Sequence, residues 1–351
     1  MVQEIFYRRV NILYVGDLWE GSTAGHRMNA LSKIGTCDAV DSTIRPRAAW
    51  LKYLHLVSIK LKWHWDLRGI NRAILDKSNA RAYDVLWIDK GLHIYPDTLK
   101  KIKSKNPNCF IISFSPDDMF NPANQSRWYV RGIGLYDLHV TTKSYNVEEL
   151  KSMGARNVFF TDKAFAPEVH RKMVLTLDEK SELSCDVGFI GSWEKDRDEY
   201  IHYLAGQGIN VTVTGSPWIK MSARHPGIKV IPAEFWGEAY AKVINATKIN
   251  LCFLKKGNRD LQTARSIEIP ACGGFMLAER TKEHQRLFAE DEEAVFFSTK
   301  EELLEKVKYY LAHDSAREKI AERGYDRCRH SGYDNFSRLS QVFAYIKSIR
   351  A

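Results

Sequence analysis

Residues 185–197 read CDVGFIGSWEKDR, and this stretch decides the fold. Its apolar run, 185–190, has the length and composition of a buried strand, and Gly191 follows at once before a charged segment of helical length. A second apolar run with the same ending, VTVTGS, lies at 211–216. Strands that alternate with helices indicate a parallel sheet with helices on its faces.

The alternation continues along almost the whole chain. In the first half we predict strands at 10–15, 83–88, 109–114, 135–140 and 157–160, with helices at 24–34 and 97–104. In the second half the predicted strands lie at 185–190, 211–214, 229–231, 249–254, 275–277 and 294–297. The predicted helices of that half lie at 196–207, 235–246, 263–271, 300–312, 315–323 and 335–349. The sequence therefore predicts an α/β protein with two parallel-sheet domains.

The polar stretch 167–184 interrupts this pattern. We therefore expect one domain at 1–166, a linker at 167–184, a second domain at 185–333 and a closing helix at 334–351. A length of 351 residues suits two domains of ordinary size. In such sheets ligands bind beyond the carboxyl ends of the strands, so the turns after the strands are where a site is expected.

Composition excludes several classes of protein. Hydrophobic residues make up 44% and charged residues 27%, which is the balance of a globular protein rather than a disordered or fibrous one. No apolar run approaches the roughly 20 residues that span a bilayer, and the N-terminus lacks the order of a secretory signal. Six cysteines stand singly and no histidines are paired at metal-ligand spacing, so we expect reduced thiols, no metal and a cytoplasmic location.

Two turns in the first half carry polar side chains at predicted strand ends. The turn that begins at Gly16 contains Asp17, Glu20 and His26, which could act as bases or bind hydroxyl groups. The helix that follows could offer free N–H groups to an anion, although the turn is neither a dinucleotide nor a P-loop motif. The alternative is a helix cap in a solvated loop.

The other turn carries Asp117 and Asp118, directly after the strand at 109–114. Two carboxylates at the end of a buried strand either bind a ligand or cap the next helix. We keep both interpretations open.

In the second half, the strand ends carry glycine, serine and basic residues. Gly191 and Gly215 let the backbone approach a ligand closely, Ser192 can donate a hydrogen bond, and Arg197 can contact a phosphate. Either turn alone could be ordinary, but two in one domain predict a rim that faces a phosphate group.

The segment after the strand at 249–254 is the most specific. It begins KKGNR, where Lys255 and Arg259 could hold a diphosphate, and continues into a helix that contains Arg265 and Glu268. The last two side chains share one helix face, and a carboxylate suits a ribose diol because it accepts two hydrogen bonds. The alternative is an intrahelical ion pair worth a few tenths of a kcal/mol.

These motifs resemble those of a known family. The segment EIPACGG at 268–274 resembles the E-x-x-A-x-G segment of GT-B glycosyltransferases. The wider frame of DVGFIGS, VTGS and ARSIEIPACGGFM, followed by EELLEKVKYYL and AREKIAERG, is similar to the CgeB-like branch (spore-maturation-type, glycosyl transferases group 1-like). The resemblance covers about 185–329 and implies two Rossmann-like domains facing each other across a cleft.

The resemblance also implies roles for residues. The second domain would bind a nucleotide-sugar donor, the first would bind the acceptor, and the closing helix would return to the first domain. Glu268 would hold the donor ribose, and the shorter Asp260 stands where many retaining members have a second glutamate. The donor-binding residues expected on both grounds are Gly191, Ser192, Arg197, Gly215, Lys255, Arg259, Asp260, Arg265 and Glu268.

The expected chemistry is transfer of a sugar, of hexosyl type, without a metal cofactor. For an inverting reaction the candidate bases are Asp117, then Asp17 and His26, whereas a retaining reaction needs no such base. Gly16, Glu20 and Asp118 are expected to line the acceptor side. Two other functions stay open: an epimerase or hydrolase acting on the nucleotide sugar, and a non-catalytic protein that binds anionic glycolipid.

A basic aromatic segment at 43–75 holds seven Arg or Lys (45, 47, 52, 60, 62, 68 and 72) and one acid, Asp66, and so contributes +6 of the +9 net charge. At helical spacing its apolar residues form one stripe: Trp50, Leu54, Val57, Leu61 and Trp65. Such helices often lie on anionic membranes, but a core-facing helix with a solvated basic back is an equal alternative. The residues expected to touch a membrane are Trp50, Lys52, Lys60, Lys62 and Trp65. No nucleic-acid motif accompanies the charge.

Overall fold

A computed structural model describes residues 10–45, 48–221 and 224–350, except the side chain of Ile219. The chain forms two compact units. The first contains the residues up to Asp162 together with those from Asn335 onward, and the second is Lys163–Asp334. Arg47, a predicted member of the basic segment, lies outside the described residues, as do the nine that precede the first strand.

The first unit is built on a six-stranded parallel sheet. Its strands are β1 (Val10–Gly16), β2 (Gly35–Asp41), β3 (Val85–Asp89), β4 (Phe110–Ser115), β5 (Leu138–Thr141) and β6 (Val158–Phe160), in the order β2-β1-β3-β4-β5-β6. Its helices are α1 (Thr23–Ile34), α2 (Ala49–Lys60), α3 (Ile70–Ala80), α4 (Pro96–Lys105), α5 (Arg127–Gly132) and α6 (Asn146–Ser152).

The sequence analysis missed strand β2. Its sequence, GTCDAVD, has two buried residues, Gly35 and Val40, because β2 lies at the sheet edge and pairs with β1 alone. An edge strand with so little buried surface lacks the apolar run that marks β3 and β4.

The second unit repeats the architecture. Its strands are β7 (Cys185–Ile190), β8 (Val211–Thr214), β9 (Ile228–Ile231), β10 (Thr247–Cys252), β11 (Met276–Glu279) and β12 (Val295–Phe297), in the order β12-β11-β10-β7-β8-β9. All of its strand pairs are parallel. Its helices are α7 (Leu177–Leu183), α8 (Lys195–Gly206), α9 (Gly237–Ala246), α10 (Arg265–Ala271), α11 (Lys282–Leu287), α12 (Lys300–Ala312) and α13 (Asp314–His330). The expected α/β class with two parallel sheets is confirmed.

The closing helix, α14 (Asn335–Arg350), packs in the first unit, where it contacts α1. Leu339, Val342 and Phe343 join the core beneath the sheet, and the Phe343 ring stacks on Trp87 at 6.4 Å between centroids. Residues 167–184 belong to the second unit and include α7, which begins with a capping box between Thr176 and Glu179.

The strand orders position the sites. In the first sheet the chain runs from β1 outward to β2 and then returns to β3, so the connections diverge between β1 and β3. In the second sheet they diverge between β7 and β10. A crevice forms at such a divergence, beyond the carboxyl ends of the strands.

Within the described parts of the chain, no helix has the length and apolar character to cross a membrane. Over the same residues, no cluster of His, Cys, Asp or Glu is arranged to hold a metal ion. All six cysteines are free thiols, and four of them are buried.

Candidate functional site

In the second unit, the turns after β7 and β8 pack directly against each other. The amide of Gly191 donates to the carbonyl of Thr214 (2.8 Å), and the indole nitrogen of Trp218 donates to the carbonyl of Gly191 (2.8 Å). Gly215 has φ +123°, and a Cβ there would lie 2.5 Å from the Gly191 carbonyl oxygen. Only glycine fits that position, because both the conformation and the space exclude a side chain.

Arg197, in the first turn of α8, lies beneath the β7 turn and is 5% exposed. Its Nη1 donates to the carbonyl of Ser192 (2.9 Å), and its Nε donates to the carbonyl of Leu254 (3.4 Å) after β10. The Glu194 carboxylate is 4.0 Å from its Nε. Burial lowers the pKa of Arg197, with Glu194 opposing and Arg265 adding to the shift. Neutral oxygens thus hold a buried positive charge across the β7–β10 crevice.

Arg265, the first residue of α10, also lies against the β7 turn. Its Cζ is 3.4 Å from the point that a Cβ on Gly191 would occupy. Its Nε is buried and has no hydrogen-bond partner. A buried guanidinium N–H without an acceptor costs free energy unless a ligand supplies one. The two arginines place positive charge at the crevice, which is the charge that an anionic ligand requires.

Glu268 lies one turn further along α10 and is 8% exposed. Its Oε2 accepts a hydrogen bond from the Tyr240 hydroxyl (3.1 Å), and its Oε1 is 3.7 Å from Nε2 of His170. The Ala166 amide donates to Nδ1 of His170 (3.0 Å), so a neutral His170 carries its proton on Nε2, facing Glu268. Burial lowers the pKa of His170, which favours this neutral form.

The basic segment after β10 divides into two parts. Lys256 pairs with Glu279, whose other oxygen accepts from the Leu254 amide (2.7 Å). Lys255 is half-exposed, with its Nζ 4.0 Å from Glu194 beside the β7 turn. Lys255 therefore remains available to a ligand at the crevice.

The other two predicted donor residues lie in the following loop. Arg259 is exposed and adopts a left-handed conformation (φ +47°). The Asp260 carboxylate accepts from the Asn258 side-chain amide (2.7 Å). This bond fixes the Asp260 carboxylate within its own loop.

In the first unit, the turn after β1 is joined to the end of β2. Asp17 is exposed, and its carboxylate accepts from the Thr43 hydroxyl beside Asp41. Glu20 is exposed, and His26 is half-buried in the first turn of α1. Gly16 is buried, and a Cβ there would lie 2.6 Å from the Tyr14 ring.

The two adjacent carboxylates after β4 have different environments. Asp117 is partly exposed and pairs with Lys90, which follows β3 in a left-handed conformation (φ +49°). Asp118 is fully buried and accepts from the Phe120 amide (3.0 Å) and the Asn146 side chain (3.0 Å). These bonds make Asp118 a residue that positions the loop, whereas Asp117 is accessible to a ligand.

Residues 197–344 match a family model described as glycosyl transferase-like. No curated protein matches the chain at a significant level. HepE from Anabaena, solved with UDP and glucose, is 11% identical, covers 97% of this chain and 100% of its own, and has a TM-score of 0.64.

Two further solved structures show the same overall likeness. Sucrose-phosphate synthase from Thermosynechococcus elongatus is 11% identical over 97% of this chain and 100% of its own, with a TM-score of 0.66. A candidate UDP-N-acetylglucosamine 2-epimerase from Listeria monocytogenes is 10% identical over 97% and 96%, with a TM-score of 0.57.

The fold is GT-B. At these identities the likeness shows the GT-B fold alone. The match to the glycosyl transferase-like model includes Arg197, Arg265 and Glu268, the charged residues around the β7–β10 crevice.

The structure brings together part of the predicted donor set of this GT-B chain. Gly191, Ser192, Gly215, Arg197 and Arg265 meet at the β7 and β8 turns. Glu268 lies on the same helix as Arg265, but its carboxylate contacts Tyr240 and approaches His170. The roles of all these residues in binding stay predictions.

The sequence analysis missed a buried polar cluster at the β1–β3 crevice. Arg27 holds Asp89 through its Nε (2.6 Å) and Nη2 (3.1 Å), and the Tyr14 hydroxyl lies 2.8 Å from the same carboxylate. Burial and the Asp89 charge raise the pKa of Tyr14 well above its ordinary value. The signal in the sequence is WIDK at 87–90, an acid and a base at the end of an apolar strand.

Proposed function

We propose that this protein is a glycosyltransferase that moves a sugar from a nucleotide-sugar donor to a glycan or lipid-linked acceptor. The observation that carries the proposal is the buried, unpartnered Nε of Arg265, which lies beside the Gly191 turn above Arg197. A diphosphate would supply the acceptor oxygens that this group lacks. HepE, which shares the fold, binds UDP and glucose, and this supports a uridine diphosphate sugar as donor.

The difficult step in such a transfer is departure of the nucleoside diphosphate. Negative charge grows on the leaving oxygen, and prearranged cations lower the barrier because they need not reorganise. Arg197 is fixed by the carbonyls of Ser192 and Leu254, and Arg265 lies opposite. Lys255 would add a third, mobile charge. With these cations in place, we propose hexosyl transfer without a metal.

The acceptor side would lie in the first unit. For an inverting reaction, Asp117 would take the proton of the acceptor hydroxyl, because it is accessible and its ion pair with Lys90 holds its side chain in the turn after β4. Asp17 and His26 are the next candidates. For a retaining reaction, the same groups would orient the acceptor and no base would be required.

The finer features of the proposal follow from the resemblance and the basic segment. We place the protein in the CgeB-like branch and its activity in the synthesis of a cell-surface polysaccharide or glycoconjugate. We place it in the cytoplasm, peripherally bound to the inner face of the membrane. A lipid-linked acceptor would then be available at the surface where the enzyme lies.

Arg265→Ala tests the donor site directly. Thermal-shift measurements with UDP, GDP, dTDP and CMP should show one nucleotide that stabilises the wild-type protein, because a ligand of the folded state raises its stability. In Arg265→Ala this stabilisation should disappear, or the apparent nucleotide affinity calculated from it should be at least tenfold lower. Arg323→Ala is the matched control, since Arg323 is an exposed arginine on α13 that pairs only loosely with Glu292 (3.5 Å). Equal nucleotide affinity in Arg265→Ala and the control would refute this donor site.

Two other functions remain to be separated from transfer. The fold is shared by a candidate epimerase, which favours an epimerase or hydrolase as the second candidate function. Product analysis with donor alone and with donor plus acceptor decides between them: a new sugar or free sugar formed at full rate without acceptor would favour the second candidate. A protein that binds anionic glycolipid without catalysis would bind lipid but turn over no donor.

A further inference from the structure

Helix α2 presents an apolar surface to solvent. Trp50, Tyr53, Leu56 and Ile59 recur every three residues and are 65%, 68%, 64% and 38% exposed. Ser58, on the opposite face, is the fully buried residue of this helix. Helix α2 therefore turns Ser58 and its half-buried apolar residues towards the protein and still exposes four large apolar side chains to solvent, which is unusual for a surface helix.

This outward stripe differs from the predicted one. Leu54 and Val57 of the predicted stripe are half-buried against the protein. The helix ends at Lys60, and Lys62 and His64 have positive φ (59° and 46°), so Trp65 does not continue it. We define the outward stripe of Trp50, Tyr53, Leu56 and Ile59 as the α2 face.

Cations lie on the α2 face and beside it. Lys52 and Lys60 are exposed on the same helix, and Lys62 follows it. Between Asp41 and Asp66 the sequence contains five Lys or Arg and no Asp or Glu. Exposed apolar side chains interspersed with cations are complementary to an anionic surface with an apolar interior.

A cavity of about 1110 Å³ opens beside the helix. Its walls include Arg45, Lys52 and Arg68, with Leu51 and Leu67 between them. Asp41 is the carboxylate in the lining, and Arg68 offsets it at 3.4 Å. The remaining charge is positive, so the cavity suits a phosphate head group that enters from the side of Lys52.

We propose that the α2 face is a membrane-docking surface whose occupant is a bilayer containing anionic phospholipid. Tyr53, Leu56 and Ile59 insert among the acyl chains, Trp50 lies at the level of the head groups, and Lys52 and Lys60 contact lipid phosphates. The cavity beside Lys52 takes the phosphate of one lipid. This inference rests on the proposed function: docking would bring the enzyme to a lipid-linked acceptor in the membrane.

Co-sedimentation with vesicles tests the surface. Wild-type protein should bind phosphatidylcholine vesicles that contain about 30% phosphatidylglycerol at least tenfold more tightly than vesicles of pure phosphatidylcholine. Tyr53→Ser with Leu56→Ser should abolish binding, because the inserted area is lost. Lys52→Gln with Lys60→Gln should weaken binding to anionic vesicles alone, and raising the salt should mimic this change.

The control for the apolar variant is Val174→Ser with Leu177→Ser, since these side chains are 96% and 84% exposed in the second unit. This control should bind vesicles like the wild type. Should the Tyr53 and Leu56 variant fail to fold, Trp50→Phe gives an independent measurement. Vesicles should shift the emission of the wild type to the blue, and that shift should be reduced in Trp50→Phe.

Three results would overturn the proposal: no binding to either vesicle, equal binding to both, or a wild-type dimer that the Tyr53 and Leu56 variant dissociates. The last result would assign the α2 face to a second copy of the chain. Nucleotide binding, measured by thermal shift, is a separate readout in the second unit. If the wild-type protein binds nucleotide but no vesicles, the membrane surface is wrong. If it binds anionic vesicles but no nucleotide, the proposed function is wrong.

Discussion

At Glu268, the folded structure adds contacts that the sequence does not reveal. The sequence indicates a carboxylate poised for a ribose diol, whereas the structure buries it to 8% exposure and gives one oxygen to the Tyr240 hydroxyl. The carboxylate can serve both partners, since two oxygens accept about four hydrogen bonds. In the proposed donor site, the Tyr240 contact would orient the carboxylate towards the ribose.

We expect Glu268→Gln to lower nucleotide affinity by ten- to a hundredfold, because a neutral amide replaces a charged acceptor of two hydroxyl groups. Tyr240→Phe should leave affinity within about threefold but lower the free energy of unfolding by about 1 kcal/mol, since one buried hydrogen bond is lost. Titration calorimetry and urea unfolding measure the two quantities. Unchanged affinity in Glu268→Gln would show that the carboxylate is structural.

At the scale of elements, short connections after the strands carry most of the candidate chemistry. Lys90 and Asp117 follow β3 and β4, which are neighbours in the sheet, and their ion pair links the two turns. The sequence located Asp117 at a strand end but did not indicate that it pairs with Lys90, because a pair between residues 27 positions apart depends on strand order. Strand order is a property of the folded sheet.

Asp117 leads to a prediction about catalysis. If Asp117 is the base, Asp117→Asn should lower the transfer rate at least a hundredfold with nucleotide affinity unchanged. Asp97→Asn removes an exposed carboxylate on α4 and is the control, which should transfer at the wild-type rate. An unchanged transfer rate in Asp117→Asn would remove Asp117 from the role of base.

The exposed face of helix α2, in the basic segment, likewise depends on the folded structure. Periodicity correctly predicted helical structure at α2, but it assigned Leu54 and Val57 to an apolar stripe that the fold half-buries. The exposed α2 face has a spacing of three residues. Nothing in the local sequence indicates which of the two stripes, this one or the predicted one, is exposed. Which face of such a helix meets the protein is decided by the shape of the surface beneath it.

At the scale of the whole molecule, buried neutral histidines connect stability to pH. Burial lowers the pKa of His139 in the first unit and of His284 in the second to about 4. Nδ1 of His284 lies 2.6 Å from the Glu279 carbonyl and so donates to it, which leaves Nε2 to accept from the Ser266 hydroxyl (2.7 Å). The second bond requires the neutral ring, because a protonated Nε2 cannot accept a hydrogen bond.

We therefore expect the free energy of unfolding to be fully retained above pH 6.5 and to fall as the pH decreases towards 4, because the unfolded chain takes up protons first. Each histidine contributes up to about 3 kcal/mol to this loss. His284→Gln should flatten the dependence in the second unit, and His139→Gln in the first, when urea unfolding is followed at several pH values.

His313→Gln, an exposed histidine on the surface, should leave the pH dependence unchanged. Equal slopes in His284→Gln, His139→Gln and the wild type would contradict the assignment of the loss to these two groups.

The sequence by itself determined the fold class. The period of its apolar residues and the positions of its glycine turns specify which segments are strands and helices and how these alternate along the chain. It also located the strand-to-helix connections beside which Arg197, Arg265 and Asp117 lie. Only the tertiary structure decided which of these side chains are held, paired or left without a partner, and which face of α2 is exposed. Those outcomes depend on contacts between residues distant in the chain, and local periodicity carries no information about such contacts.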